Sequence, residues 1–156
     1  AMPNQPALVG AGMTALVAPA GVTAAQRARA AAVLEAAGGV VWLDDESLMD
    51  AVTAVSGSGP AYFYLLTELL AQAGRAVGLP PELASTLARQ TAWGAGRTLA
   101  ETGQDPAVLR ASVTSPGGTT AAALAEFERA DLAAIVTRAV TAARDRGVEL
   151  GRPAGH

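Results

Sequence analysis

The stretch best equipped for chemistry is Val113-Thr114-Ser115-Pro116-Gly117-Gly118-Thr119-Thr120, which runs straight into an Ala/Leu-rich segment. Gly117 and Gly118 leave the backbone open to close approach, and the N–H groups around Gly118, Thr119 and Thr120 converge if a helix starts there. A helix N-terminus holds a carboxylate or phosphate through its unpaired N–H donors and the positive end of its dipole. The hydroxyls of Ser115, Thr119 and Thr120 add donors for the same anion or for a nearby ligand nitrogen. Residue types alone leave a plainer reading equally open, in which Thr119 or Thr120 caps its helix after a Ser-Pro-Gly-Gly turn. A Walker A loop is excluded, because it needs a lysine and the chain has none.

A second cluster is Ser56-Gly57-Ser58-Gly59-Pro60-Ala61-Tyr62. No glycine stands two residues before either serine, and the sole histidine, His156, is the last residue, so a serine hydrolase is set aside. Gly-Ser runs mark hinges between helices, which is the reading that local physics favours here. The functional alternative is a close backbone approach to a ligand, with Ser56 or Ser58 as polar contacts. A third run, Gly10-Ala11-Gly12-Met13-Thr14-Ala15, matches the dinucleotide pattern G-x-G-x-x-A. That pattern must open a helix, and Pro19 and Gly21 leave no room for one, so the run reads as a strand carrying glycines.

Composition narrows the field. A chain of 156 residues, 51% of them hydrophobic, can bury one core, or one core beside a piece of another domain. Abundant alanine and few aromatics favour closely packed helices. All 11 basic residues are arginines, spread along a chain of net charge −3, which gives no nucleic-acid footprint. With no cysteine, disulfides and thiolate chemistry drop out. No metal is expected, because His, Cys and carboxylates do not cluster; Asp44, Asp45 and Glu46 read as a helix start. No membrane span or signal segment is visible, which makes a cytoplasmic protein the expectation.

The elements that must position these clusters can be read in order. Ala1 to Pro6 resembles the middle of a loop, and Ala7 to Pro19 reads as a strand bent at its glycines. Thr23 suits the N-cap of a helix through Ala37, stopped by Gly38-Gly39, and Val40 to Leu43 is strand-like. This strand–helix–strand unit is too small to stand alone and looks like the last piece of a larger α/β sheet. Helical signals follow over Ser47–Val55, broken by Ser56 to Gly59, then from Pro60 to Gly78 and from Pro80-Pro81 to Leu99. Trp93, Gly94 and Gly96 interrupt the pattern of that last helix. A short helix from Asp105-Pro106 to Val113 and two more over Ala121–Arg129 and Asp131–Leu150 complete the set. Trp42 and Trp93 read as packing residues, and Arg75, Arg89, Arg97 and Arg110 as solvated helix faces. The fold expectation is therefore mainly α, with residues 46–150 a helical bundle, residues 1–45 the end of an α/β domain, and residues 151–156 a disordered tail.

Several stretches, in order and at matching separations, resemble the pyrroline-5-carboxylate reductase family. They are Met2-Pro3-Asn4-Gln5-Pro6-Ala7, Ala54 to Tyr62, Gly78-Leu79-Pro80, Gln90-Thr91 and Val113 to Thr120. The resemblance covers nearly the whole chain, and the pairing of Ser-Gly-Ser-Gly-Pro-Ala-Tyr with Ser-Pro-Gly-Gly-Thr-Thr is its specific part. It implies a reductase that transfers hydride from NADPH or NADH to the C=N bond of 1-pyrroline-5-carboxylate, the last step of proline biosynthesis. It also implies a Rossmann domain followed by a helical domain that forms a homodimer, or a higher homo-oligomer built of dimers. By the same resemblance Ser115, Gly117, Gly118, Thr119 and Thr120 hold the substrate, with Thr120 the catalytic partner near the ring nitrogen. Asn4, Ser56, Gly57 and Ser58 would fall on the nicotinamide side.

The family's first nucleotide-binding half, with its glycine fingerprint, has no counterpart in this sequence. The expectation is that the chain alone is inactive, and NADPH versus NADH preference is left open. Two alternatives stand beside the reductase: a non-catalytic helical dimerisation module, and a related imine or ketone reductase. A pure dimerisation module has no use for an anion-holding loop, which favours descent from the enzyme. The side-by-side Leu65 and Leu66, on helices apolar over more than one face, favour dimerisation.

Overall fold

The computed structural model describes residues 1–152, so His156 and most of the expected tail lie outside the described residues. The chain is mainly helical and divides into two compact units, residues 1–62 with 137–152, and residues 63–136.

The first unit is built on a small sheet. Strand β1 (Met2–Pro3) pairs antiparallel with β2 (Gly12–Leu16), which pairs in parallel with β3 (Gly38–Trp42). Helix α1 (Ala24–Glu35) connects β2 to β3, giving the expected strand–helix–strand unit. Its start is a reciprocal capping box: Thr23 Oγ1 accepts from the Gln26 N–H, and Gln26 Oε1 accepts from the Thr23 N–H at 2.8 Å. Arg27 then lies 5.0 Å over the Trp42 ring, tying the first turn of α1 to the end of β3. Thr14, Ala15 and Leu16 of β2 are buried, as is Ala54.

Two expectations for this unit need correction. The opening residues are not all loop, since Met2 and Pro3 form β1. The strand expected over Ala7–Pro19 shrinks to Gly12–Leu16, because Gln5–Val9 winds as a 3-10 turn. Pro6 fits the first turn of that helix, and Gly10, at φ 71°, ends it in the left-handed region. Gly38 does more than stop α1. It opens β3 opposite Gly12, and a Cβ on it would sit 2.0 Å from the Gly12 carbonyl oxygen.

Beyond the sheet, a 3-10 turn (Glu46–Leu48), helix α2 (Met49–Val52) and a π-helical turn (Thr53–Gly57) lead into α3 (Gly59–Ala76). The break expected over Ser56-Gly57-Ser58-Gly59 narrows to Ser58, a bend between the π-helical turn and α3. In the second unit α3 runs to a tight turn at Gly78 (φ 100°), and Pro80 and Pro81 start α4 (Pro81–Thr102). Helix α4 continues without a break through Trp93, Gly94 and Gly96, since alternation of bulk alone leaves the backbone ladder intact. Helix α5 (Pro106–Ser112) is capped by Asp105, whose Oδ1 accepts from the Ala107 N–H at 2.7 Å. Helices α6 (Thr119–Arg129) and α7 (Leu132–Gly151) follow, joined at Asp131, which adopts φ 51°. Gly151, expected in the tail, closes α7.

Packing in the second unit is thin. Ala84 and Ala88 are its buried apolar residues among those described. A Cβ on Gly74 would lie 3.2 Å from the Ala84 Cβ, so α3 and α4 approach closely at that one point. Elsewhere they diverge around a groove of about 940 Å³ lined by Tyr64, Glu68, Arg75, Arg89 and Trp93. No helix among the described residues is long and apolar enough to cross a membrane.

The glycine facing β2 gives a direct check on the sheet. Gly38→Ala meets both a positive φ and a backbone clash, and is expected to cost at least about 3 kcal/mol in urea unfolding. Gly21→Ala, at φ 92° with open space around it, isolates the dihedral penalty and should cost about 1 kcal/mol. Equal losses at the two positions would contradict the close Gly12–Gly38 pairing.

Candidate functional site

The loop between α5 and α6 follows from local rules. The N–H of Gly118 donates to the Ser115 carbonyl at 3.0 Å, closing a four-residue turn with Pro116 second and Gly117, at φ 69°, third. Proline second and glycine at positive φ third is the type II pattern. Before the turn, Thr114 is tied back to α5: its Oγ1 donates to the Arg110 carbonyl at 2.6 Å and its N–H to the Ala111 carbonyl at 3.1 Å. The loop is held at both ends before any ligand arrives.

Helix α6 has Gly118 as its N-cap, in extended conformation, and no side chain caps it. This removes the plainer reading of the loop: Thr119 and Thr120 are the first two residues of the helix, not its cap. The Gly118 carbonyl accepts from the Ala122 N–H at 3.1 Å, which begins the helical ladder. The N–H groups of Thr119, Thr120 and Ala121 precede that first bond and point out of the helix end. A Cβ on Gly118 would stand 2.4 Å from Ser115 Oγ, so the absent side chain is what lets the Ser115 hydroxyl lie across the helix start. Ser115, Gly117 and Thr119 are exposed, while Gly118 and Thr120 are half-buried. The structure thus brings Ser115, Gly117, Gly118, Thr119 and Thr120 together on one turn and one helix end. Such an arrangement can take an anion by N–H and O–H donation alone.

The other cluster, Asn4 with Ser56, Gly57 and Ser58, belongs to the first unit. Its conformation is set by carbonyl accounting around Pro60. In an α-helix the Ser56 carbonyl would accept from residue 60, but proline has no N–H. The Ser58 N–H instead donates to the Thr53 carbonyl at 2.8 Å, a bond one residue longer than the α pattern, which frees the Ala54 carbonyl as well. Side chains take up both oxygens. Tyr62 Oη donates to the Ala54 carbonyl at 2.9 Å, and Asn4 Nδ2 donates to the Ser56 carbonyl at 3.1 Å. Gly57 lies under β1, where a Cβ would be 2.6 Å from the Met2 Cε.

Tyr62 and Met2 stand in the stretches named above, but the sequence reading assigns neither of them a role. The signal for Tyr62 was available: a proline four residues after Ser56 orphans that carbonyl and invites a π turn. The contact with Met2 is long-range and left no local trace. The G-x-G-x-x-A run opens no helix, as expected, but only Gly12 to Ala15 lie in β2, with Gly10 closing the 3-10 turn before it. Among the described residues no three of His, Cys, Asp and Glu gather into a possible metal site. Asp45 caps the 3-10 turn at Glu46, and its hydrogen bonds from Ser47 hold its carboxyl below the usual carboxylate range.

Comparison with known proteins gives the geometry a context. A family model described as pyrroline-5-carboxylate reductase dimerisation matches residues 46–150. The chain is 49% identical over 154 residues to a pyrroline-5-carboxylate reductase of Pseudomonas aeruginosa, covering 99% of this chain and 56% of that protein. Among solved structures, a pyrroline-5-carboxylate reductase of Coxiella burnetii superposes with a TM-score of 0.93 at 42% identity, over 97% of this chain and 56% of that one. A Plasmodium falciparum pyrroline carboxylate reductase with NADP bound gives 0.85 at 34% identity, over 97% of this chain and 62% of that one. The chain spans about half the length of the curated relatives it matches.

The turn assignment makes its own prediction. Gly117→Val places a β-branched residue at positive φ and should destabilise the chain by about 1–2 kcal/mol. Gly117→Asn, which tolerates the left-handed region, should cost less than half of that in the same thermal melt. Equal costs would mean that the turn relaxes to another type.

Proposed function

The chain belongs to the pyrroline-5-carboxylate reductase family, and from that premise we propose that its α5–α6 loop is the substrate-carboxylate site of a reductase acting on 1-pyrroline-5-carboxylate. The observation that carries the reading is the helix start at Gly118, which no side chain caps, with Ser115 Oγ lying against it and Thr119 and Thr120 as the first two helical residues. The carboxylate of the cyclic imine, or of the product proline, takes the N–H groups of Thr119, Thr120 and Ala121. Thr120, half-buried and second in the helix, supplies the hydroxyl nearest the ring nitrogen. No His, Lys or Cys is required, because the imine can itself be protonated and the protein's task is to anchor and orient it.

NADPH or NADH supplies the hydride when bound. In this reading Ser56, Gly57 and Ser58, with Asn4 behind them, are contacts for the nicotinamide cofactor. The same reading assigns residues 1–45 to the end of the nucleotide-binding domain and residues 46–150 to the helical domain. Productive catalysis then draws on the part of the relatives' length that this chain does not span.

The proposal includes a homodimer through the helical domain. Phe63, Leu65, Leu66 and Trp93 are each more than half exposed, on helices whose buried apolar residues in this unit are two alanines. A second copy covers such faces at low cost, since it carries the same surfaces. Sedimentation at low micromolar concentration should show a dimer, and a monodisperse monomer would remove this part of the reading.

Activity decides the rest. A protein of the relatives' full length that carries this chain should oxidise NADPH or NADH on addition of pyrroline-5-carboxylate, while residues 1–156 alone should not. Thr120→Val should lower kcat at least about tenfold, or about 1.4 kcal/mol in the barrier. Ser115→Ala should act mainly on KM for the imine. A folded, cofactor-binding protein that leaves the imine untouched would favour the related imine or ketone reductase.

A further inference from the structure

The carboxamide of Asn4 is used at both ends. Its Oδ1 accepts from the Met13 N–H at 2.9 Å, and its Nδ2 donates to the Ser56 carbonyl at 3.1 Å, with a longer approach of 3.4 Å to Ser56 Oγ. The amide orientation is dictated by its neighbours: a backbone N–H can only donate, so oxygen faces Met13, and a carbonyl can only accept, so nitrogen faces Ser56. The Asn4 N–H also donates, to the Met13 carbonyl at 3.2 Å, fixing the residue against β2. A side chain so engaged has its donors turned toward the π turn and not toward a ligand.

We propose that Asn4 is a positioning residue that acts through Ser56, clamping the π turn Thr53–Gly57 to β2 and presenting the Ser56 hydroxyl as a hydrogen-bond donor. Because Ser56 Oγ receives the Asn4 N–H, its own proton is directed away from Asn4. The ligand group it suits is an acceptor, such as a carboxamide oxygen. Assigning that acceptor to the nicotinamide rests on the function proposed above. The clamp itself does not.

The test has a structural arm and a kinetic arm. In hydrogen exchange on the 156-residue chain, Asn4→Ala should speed exchange of the Ser58 N–H, which closes the π turn, at least about tenfold. Asn4→Asp keeps an acceptor for Met13 but sets a carboxylate against the Ser56 carbonyl. It should expose Ser58 while leaving Met13 protected. General destabilisation would move both amides together and would overturn the clamp, as would an unmoved Ser58 in Asn4→Ala.

In the full-length reductase, Asn4→Ala should raise KM for the nicotinamide cofactor about fivefold and change KM for the imine less than about twofold. The double variant with Ser56→Ala should be no worse than Asn4→Ala alone. Multiplied effects would mean that Asn4 touches the ligand itself, against the proposal. A wild type without reductase activity would sink the function reading separately, and the exchange result would then decide the clamp.

Discussion

Apolar surface without an internal partner is the constraint on which the rest of this structure depends. Apart from Leu16, the buried apolar residues among those described are alanines: Ala15, Ala54, Ala84 and Ala88. Leu65, Leu66, Leu69 and Leu70 stay about half exposed on α3, as do Leu83 and Leu87 on α4. Burying a leucine side chain contributes about 1.5–3 kcal/mol, so six half-exposed leucines represent several kcal/mol that the single chain does not recover. A helix set of this composition reaches ordinary stability when another surface closes on it, which gives a dimerisation domain its physical reason.

Local backbone accounting works on a different scale and fixes the two clusters. Near Pro60 a missing N–H frees the Ser56 carbonyl and a longer Ser58–Thr53 hydrogen bond frees the Ala54 carbonyl, and Asn4 and Tyr62 meet them. At Gly118 the helix start is left without a side-chain cap, and Ser115 Oγ lies against it. Buried or half-buried backbone groups are rarely left unpaired. The first cluster is satisfied within the chain, whereas the N-cap of the second makes no side-chain hydrogen bond.

Much of this was legible in the sequence, and the exceptions have physical causes. Caps at Thr23 and Asp105, the terminator Gly78 and the leading Pro81 are short-range signals, and their elements formed where those residues put them. The break was read as longer than it is because Gly and Ser weigh as hinge formers locally, whereas Asn4, 52 positions away, meets the Ser56 carbonyl within the π turn. The 3-10 turn at Gln5–Val9 was hidden in an apolar run that suits a strand equally well. The Ser-Pro-Gly-Gly turn could be anticipated, but which residue capped α6 could not, since Gly, Ser and Thr are all competent N-caps.

The central claim is that the start of α6 recognises a carboxylate. The most direct measurement is an amide chemical-shift titration of the chain with L-proline, run beside L-prolinamide, which has the same ring without the carboxylate. The account predicts saturable shifts at the N–H groups of Thr119, Thr120 and Ala121 with L-proline, and none at those amides with the prolinamide. Equal shifts with both ligands, or saturable L-proline binding that leaves these three amides unmoved, would contradict it.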